Sequence, residues 1–374
     1  MNFCIITHVF HTKENQKFYG YSPYVNEMNI WIKHVDDVTV VAPLTSKKSS
    51  TLTSFYNAKQ LKFIEIKKLH FKNVRSIFWS ILYLPSVCYQ IFIAMENADH
   101  IHLRCPGNIG LMGCIIQIFF PKKIKTAKYA GNWYSNSNQP ISYRIQKWIL
   151  SNTFLTKNMQ VLVYGEWENQ SQNIKPFFTA TYSESEKTCI EPRLLNSEIK
   201  FIFVGTLTEG KQPLFAIKFV EKLHSKGYFC KLSIYGDGIQ KDILLSYVQN
   251  NNLSNYIKIE GNIDKEKLKD IYQQSNFLIL PSKSEGWPKV IAEAMFWGCL
   301  PIATSVSCIP NMLDYNKRGV LISNNLELDS LIVEKLIQDK EDYILRCKNA
   351  INWSREFTTD KFESEIIKLI KKCE

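Results

Sequence analysis

Two carboxylates stand out by type and spacing. Glu285 and Glu293 flank the run Gly286-Trp287-Pro288-Lys289-Val290-Ile291-Ala292. Leu278-Ile279-Leu280 before them reads as a buried strand, Pro288 suits the first turn of a helix, and Gly298 suits its end. Glu285 then lies in the loop at a strand's carboxyl end, and Glu293 one to two turns into the next helix. Carboxylates so placed can each accept paired hydrogen bonds from vicinal hydroxyls, which is how proteins hold ribose and sugar rings. The plain alternative is a solvated Glu285 and a Glu293 on a wet helix face. It suits Glu293 badly, because Val290-Ile291-Ala292 and Ala294-Met295-Phe296-Trp297 around it are apolar and an acid there needs a partner.

A cation precedes them in the chain. Phe203-Val204-Gly205-Thr206-Leu207-Thr208-Glu209-Gly210-Lys211-Gln212-Pro213 ends a strand on one glycine and starts a helix just after a lysine. Amides at that helix start, with the Lys211 ammonium beside them, would make a phosphate site. Alone, such a loop more often means an ordinary strand–turn–helix with a solvated lysine. Gly236-Asp237-Gly238 could let backbone approach a ligand closely, or be a plain turn. The chain has no Asp-x-Asp pair, so no metal site and no cofactor is expected.

The elements that must position these residues alternate. Phe3–Thr7, Val38–Ala42, Phe63–Ile66, His100–Leu103, Lys125–Tyr129 and Gln160–Val163 read as strands, with helices such as Tyr24–His34 and Ile141–Leu150 between them. After the turn-rich stretch Ser183–Pro192 the pattern restarts at Lys200–Val204, Lys231–Tyr235, Ile257–Glu260, Phe277–Leu280, Leu300–Ala303 and Val320–Ile322. Such alternation predicts parallel sheets joined by right-handed crossovers. The fold class is α/β, with two Rossmann-like domains over residues 1–190 and 191–374, as the 374-residue length allows. The final helix, 359–372, could pack back on the first domain. Ligands of such sheets bind at the carboxyl ends of strands, where the loops above lie.

Charge is uneven. Residues 1–200 hold 23 Lys and Arg against 13 Asp and Glu, whereas residues 201–374 hold 23 against 22. A positive first domain points to an anionic partner: a membrane face, a phosphorylated lipid or nucleic acid. The ten cysteines form no C-x-x-C and no cluster with histidine, which argues against a zinc site and a disulfide framework and fits a reducing compartment. The apolar start Met1–Ile6 reads as a strand, not a signal peptide. Ile77–Ala94 has no charge and approaches the length of a spanning helix, but Ser80, Pro85, Ser86 and Gln90 favour a buried or half-buried helix. Lys122, Lys123, Lys125 and Lys128 cluster just after the apolar run Ile109–Phe120, and this pairing suits a protein lying on an anionic bilayer.

Glu285 and Glu293 with seven residues between them, then Ala294-Met295 and Gly298-x-x-Pro301, resemble the E-x7-E signature of the group 1 (family 4) retaining glycosyltransferases. Val204-Gly205-x-Leu207 with Lys211, Gly236-Asp237-Gly238, Glu260-Gly261-Asn262 and Leu280-Pro281-Ser282 are similar to that family's other blocks, in the same order. The resemblance is specific over residues 200–325 and architectural over 1–195. It implies the GT-B fold, with two facing Rossmann-like domains, a cleft between them and the sugar nucleotide on the second. It implies Lys211 on the donor pyrophosphate, Glu285 on the transferred sugar and Glu293 on the ribose. Gly205, Thr206 and Gly236, the segment Gly286, Trp287, Pro288, Lys289 and Val290, and Ile263 near the base would complete the donor site. Arg104 and Asn132 are the acceptor-side candidates.

The implied partners are a UDP- or GDP-linked sugar, a glycan or polyprenyl-linked acceptor and an anionic membrane surface, on the inner face of the cytoplasmic membrane. The implied work is bacterial-type surface polysaccharide synthesis by a metal-independent retaining transfer. Several positions depart from the family pattern. Thr206 stands where a second pyrophosphate arginine is common, Gln212 where a glycine follows the lysine, and Asn311 where an acid is expected. The first-domain histidine has no counterpart near Tyr129-Ala130-Gly131-Asn132-Trp133. Two other readings stay open: a GT-B enzyme of another reaction type, such as a sugar-nucleotide epimerase, and a basic nucleic-acid-binding protein. The second is disfavoured because Lys122–Lys128 lacks any recognised motif context.

Overall fold

The computed structural model describes residues 1–46, 53–70, 73–134, 139–195 and 198–371. The chain forms two compact units, Met1–Phe178 with Phe362–Glu374, and Thr179–Lys361. The division thus falls after Phe178, twelve residues before the boundary expected from the turn-rich stretch, and the chain from Phe362 onward belongs to the first unit. The reason is visible in the packing: Phe362 lies against Phe177 and Phe178, with ring centroids 5.4 and 5.7 Å away. Lys372 of the expected final helix, and Cys373, lie outside the described residues.

The first unit begins β1 (Asn2–Ile6), β2 (Thr12–Glu14), β3 (Lys17–Tyr21), α1 (Ser22–Ile32), β4 (Asp37–Ala42), β5 (Thr53–Phe55) and β6 (Gln60–Glu65). It continues α2 (Val74–Glu96), β7 (His100–Cys105), α3 (Asn108–Ile116), β8 (Ile124–Tyr129), α4 (Ile141–Ser151), β9 (Met159–Tyr164) and β10 (Ile174–Phe177). Seven strands make one parallel sheet, ordered β10-β9-β8-β7-β1-β4-β6. The small antiparallel sheet β2-β3-β5 and the edge strand β10 were not legible as strands, being short and mixed in polarity. Phe3, Cys4, Ile5 and Ile6 are fully buried, as a central strand covered on both faces requires.

The second unit runs β11 (Ile199–Val204), α5 (Pro213–Ser225), β12 (Cys230–Tyr235), α6 (Lys241–Asn250), β13 (Ile257–Gly261), α7 (Lys265–Gln274) and β14 (Phe277–Leu280). Then come α8 (Lys289–Phe296), β15 (Leu300–Thr304), α9 (Ile309–Met312), β16 (Val320–Ile322), α10 (Leu326–Gln338) and α11 (Lys340–Ser354), before α12 (Thr359–Lys371). Its six strands are parallel, in the order β13-β12-β11-β14-β15-β16. The two parallel sheets expected from the alternation are present. Strand order reverses between β11 and β14, the switch point at whose carboxyl ends ligands of such sheets ordinarily bind.

Of the two expectations for the apolar stretch of α2, a buried or a half-buried helix, the structure shows the second. Of that stretch 22% is buried, with Val87, Ile91, Ala94 and Met95 in the core and the opposite side exposed. The expectation of an exposed lysine cluster fails, because the cluster is broken up. β8 lies inside the sheet between β7 and β9, so its side chains point into covered layers on both faces. Lys125 is buried, its ammonium donating to the Gln117 and Phe120 carbonyls at 3.3 and 2.9 Å, and burial lowers its pKa to about 8. Lys128 is fully buried against Glu27 at 2.9 Å. Lys123 donates to the carbonyls of Glu96 and Ala98 at the end of α2, and Lys122 alone stays exposed.

Candidate active site

Lys211 and Glu285 meet at the switch point of the second sheet. Lys211 leaves the loop after β11, Glu285 the loop after β14, and the ammonium donates to Oε1 at 2.5 Å. The Glu285 side chain is 8% exposed and that of Lys211 30%, so the acid is largely covered while the ammonium stays open to solvent. The two loops are tied at the backbone as well. The Lys283 amide donates to the Gly210 carbonyl at 2.8 Å, and the Lys283 ammonium reaches Glu209 at 2.6 Å.

Gln212 explains one departure from the family pattern. Its φ of +52° is left-handed, the conformation a glycine adopts without cost. The side chain compensates by donating from Nε2 to the Pro281 carbonyl at 2.5 Å, a contact glycine cannot make. Thr206 is exposed on the first loop and brings no second cation.

The loop after β12 presses against the loop after β11. The Gly205 amide donates to the Tyr235 carbonyl at 3.0 Å and the Leu207 amide to the Asp237 carbonyl at 2.9 Å. A Cβ on Gly236 would stand 1.9 Å from the Gly205 carbonyl oxygen, and one on Gly238 2.4 Å from that of Leu207. These glycines are required by backbone-to-backbone packing. Whatever they do for a ligand, they first shape the loop that carries Lys211.

Glu293 has the partners its apolar helix demanded. Thr181 donates from Oγ1 to Oε1 at 2.7 Å and Tyr272 donates from its hydroxyl to Oε2 at 3.3 Å. Burial raises the Tyr272 and Tyr182 hydroxyl pKa values, and the nearby Glu293 charge adds to both. Neither Thr181 nor Tyr272 was singled out from the sequence. Thr181 lies 112 residues from Glu293, and no spacing rule links them.

The Gly286–Val290 segment turns into α8 with no side-chain cap at Pro288. The positive helix end therefore lies a few residues from Glu285. The Gly286 carbonyl accepts from the Cys308 thiol at 3.0 Å and the Ser307 hydroxyl at 3.4 Å. The Trp287 ring is taken up by packing on Trp353 and Phe357, at 6.2 and 5.9 Å, so its backbone rather than its indole is available to a ligand. Lys289 and Val290 are half-buried at the helix start, and Ile263 is half-buried just beyond β13.

The first-unit candidates are committed locally. Arg104 faces Glu27 at 3.6 Å and lies 5.3 Å from the Tyr24 ring, in a buried cluster that includes Lys128. Asn132 caps a turn, accepting from the Tyr134 amide at 2.9 Å. His8 was not foreseen. It follows β1 at that sheet's own reversal point, over Gly107, where a Cβ would come within 2.8 Å of Nδ1. The residue is exposed overall, and partial desolvation of the ring, with Arg104 adding, lowers its pKa. Among the described residues no group of three or more His, Cys, Asp or Glu is placed to hold a metal ion.

Residues 187–353 match the family described as glycosyl transferases group 1. Protein CapJ of Staphylococcus aureus is 22% identical over 359 residues, covering 91% of this chain and 88% of that protein. The amylovoran biosynthesis glycosyltransferase AmsK of Erwinia amylovora is 25% identical over 43% of this chain and 42% of its own length. The crystal structure of Anabaena HepE in complex with UDP and glucose superposes with a TM-score of 0.69 at 12% identity, covering 100% of both chains. Sucrose-phosphate synthase from Thermosynechococcus elongatus gives 0.68 at 13% identity, over 100% of this chain and 98% of that one. The fold is thus the two-sheet α/β architecture of GT-B glycosyltransferases, and residues 187–353, which hold Lys211, Glu285 and Glu293, support its reading as a group 1 glycosyltransferase.

Proposed function

We propose that this protein moves a sugar, with retention and without a metal ion, from a UDP- or GDP-linked donor to a glycan or polyprenyl-linked acceptor in surface polysaccharide synthesis. The observation that carries the reading is the Lys211–Glu285 pair at the β11–β14 reversal, where parallel sheets take their ligands. Lys211 and the α8 amides would meet the pyrophosphate and stabilise the charge that grows on it as the glycosidic bond breaks. Glu285 would trade part of its bond to Lys211 for a sugar hydroxyl. Glu293, held by Thr181 and Tyr272, would grip the ribose. Neither acid is assigned as a nucleophile. The donor phosphate oxygen would take the acceptor's proton as the acceptor attacks from the leaving-group side.

The relatives favour polysaccharide work: one is named for amylovoran biosynthesis, and HepE was crystallised with UDP and glucose. The nucleic-acid alternative is weakened, because Lys125 and Lys128 of the basic run are buried. A peripheral place on the inner face of the cytoplasmic membrane fits a polyprenyl-linked acceptor.

The test is hydrolysis of UDP- and GDP-sugars without acceptor, with and without EDTA, the released anomer being read by proton NMR. We expect one donor to be cleaved with its anomeric configuration kept, in EDTA as in buffer, and the cleavage to vanish in Lys211→Ala. Failure to bind any nucleotide sugar would refute the reading, and an inverted product would refute retention.

A further inference from the structure

Three helices of the first unit form one layer. The chain crosses from β6 to β7 through α2, then steps to β8 through α3 and to β9 through α4, always in one direction along the sheet. Right-handed crossovers put all three on the same face. Their inner side is core: Val87, Ile91 and Met95 of α2 pack with Ile109 and Cys114 of α3 and Ile149 of α4. The outer side of such a layer is ordinarily polar.

Here it is not. Phe78, Trp79, Ile81, Leu82 and Tyr89 of α2 are 59%, 46%, 58%, 54% and 67% exposed. Phe119, just past α3 and 69% exposed, continues the surface with its ring 6.5 Å from that of Phe92 on α2. Trp148 on α4 is also exposed. Contiguous apolar exposure on this scale marks an interaction site.

Charge identifies what covers it. Between Arg75 and Glu96, α2 carries no charged residue, and residues 100–165 contain no Asp or Glu. On these helices and in the links between them the exposed cations are Arg75, Lys122, Arg144 and Lys157. The exposed acids, Glu96 and Asp99, are confined to the far end of α2, many residues from Phe78, Trp79, Ile81 and Leu82. Lys157 stands over the exposed Phe154 ring at 5.2 Å, joining the two kinds of surface. Rings flanked by cations, with acids only at the far end of α2, complement the acyl boundary and headgroups of an anionic bilayer. A second copy of the chain fits worse, because a two-fold contact would set these cations against their own equivalents.

The same helix has the length and composition to cross a membrane, yet its inner row is committed to the core. Ser80 further ties it down, accepting from the His70 amide and donating to the His70 carbonyl, both at 2.8 Å. We infer that the outer face of the α2–α3–α4 layer is a docking surface on which the first unit lies flat against an anionic bilayer, with α2 parallel to it. The inference deepens the peripheral placement proposed above, and replaces the buried lysines with an apolar face as its agent.

The test is flotation with vesicles of phosphatidylcholine alone, or mixed with phosphatidylglycerol, for wild type and for Phe78→Glu/Leu82→Glu and Arg75→Gln/Arg144→Gln. UDP binding by calorimetry and thermal melting are read on the same samples. We expect wild type to float with the anionic vesicles, the acidic pair to bind them at least ~10-fold more weakly and the Gln pair to lose its preference for them. Quenching of tryptophan fluorescence by acyl-brominated lipid should accompany binding and vanish in the acidic pair. Unchanged flotation of a folded Phe78→Glu/Leu82→Glu protein overturns the inference. So does a lipid-free wild-type dimer that this variant dissociates. Vesicle binding without UDP binding would uphold the docking face while refuting the transferase reading, so the two can fail separately.

Discussion

A Cβ placed on Gly236 would lie 1.9 Å from the carbonyl oxygen of Gly205, so the loops after β11 and β12 touch backbone to backbone. No side chain fits there, and the φ of +145° at Gly236 is itself unfavourable to one. Gly236→Ala must push the β11 loop away, and with it Lys211. We expect donor binding to weaken at least ~10-fold and the melting temperature to drop by several degrees, read by calorimetry and by thermal denaturation.

The Lys211–Glu285 pair predicts asymmetric kinetics. Lys211→Ala removes the cation that would meet growing charge, so turnover should fall at least ~100-fold with the fold intact. Glu285→Gln keeps a hydrogen-bonding group but releases Lys211 from its partner, so turnover should fall less than in Lys211→Ala. Steady-state rates on the cleaved donor, with melts within a few degrees of wild type, check both. Near-wild-type transfer by Lys211→Ala would remove this lysine from the site.

Glu293→Ala should likewise lower turnover at least ~100-fold, because the acid is assigned to the donor's ribose. Thr181→Val tests positioning separately. It removes the 2.7 Å bond to Oε1 while leaving the carboxylate and Tyr272 in place. A positioning role predicts a higher donor KM with kcat within a few-fold of wild type. A fall in kcat at unchanged KM would contradict it.

Gln212→Gly exchanges one cost for another. Glycine relieves the left-handed backbone, which costs other residues about 1 kcal/mol, but forfeits the bond to the Pro281 carbonyl, worth about as much. Stability should change by less than about 1 kcal/mol in urea titration, and donor hydrolysis should persist. Gln212→Val, β-branched in the same conformation, should destabilise clearly.

Acid should strike the first unit. Burial lowers the pKa of His11 and His100 to about 4 and of His102 to about 3, against about 6.5 when unfolded. Above pH 6.5 their contribution to stability is fully present. As pH falls below it, the unfolded chain takes up protons that the folded unit refuses, down to about pH 4. Each histidine then lowers stability by about 1.4 kcal/mol per pH unit at most. Loss of near-UV signal from the first unit's buried Trp31, which lies 4.7 Å from His102, should begin below pH 6. His102→Gln should shift that onset to lower pH, provided the variant still folds.

The alternation of apolar runs with helical stretches was enough to determine two parallel α/β sheets, because strands buried on both faces write continuous apolar runs into the chain. The loops at the strand ends, and with them Lys211, Glu285 and Glu293, were legible for the same reason: a strand end followed by glycine, proline and a helix is local information. The tertiary structure decided what local pattern cannot carry. Lys125 and Lys128 read as a solvated basic run, yet β8 lies inside the sheet, and burial there follows from strand order rather than from sequence neighbours. The apolar run of α2 read as a buried or half-buried helix without saying which, and the tertiary structure decided it: the core takes the row of Val87, Ile91, Ala94 and Met95 and leaves the other side exposed. Thr181 and Tyr272 reach Glu293, and Gly236 reaches Gly205, through pairings between segments far apart in the chain. Such contacts exist only once the strands have chosen their neighbours, because it is the order of strands in the sheet that brings their loops together.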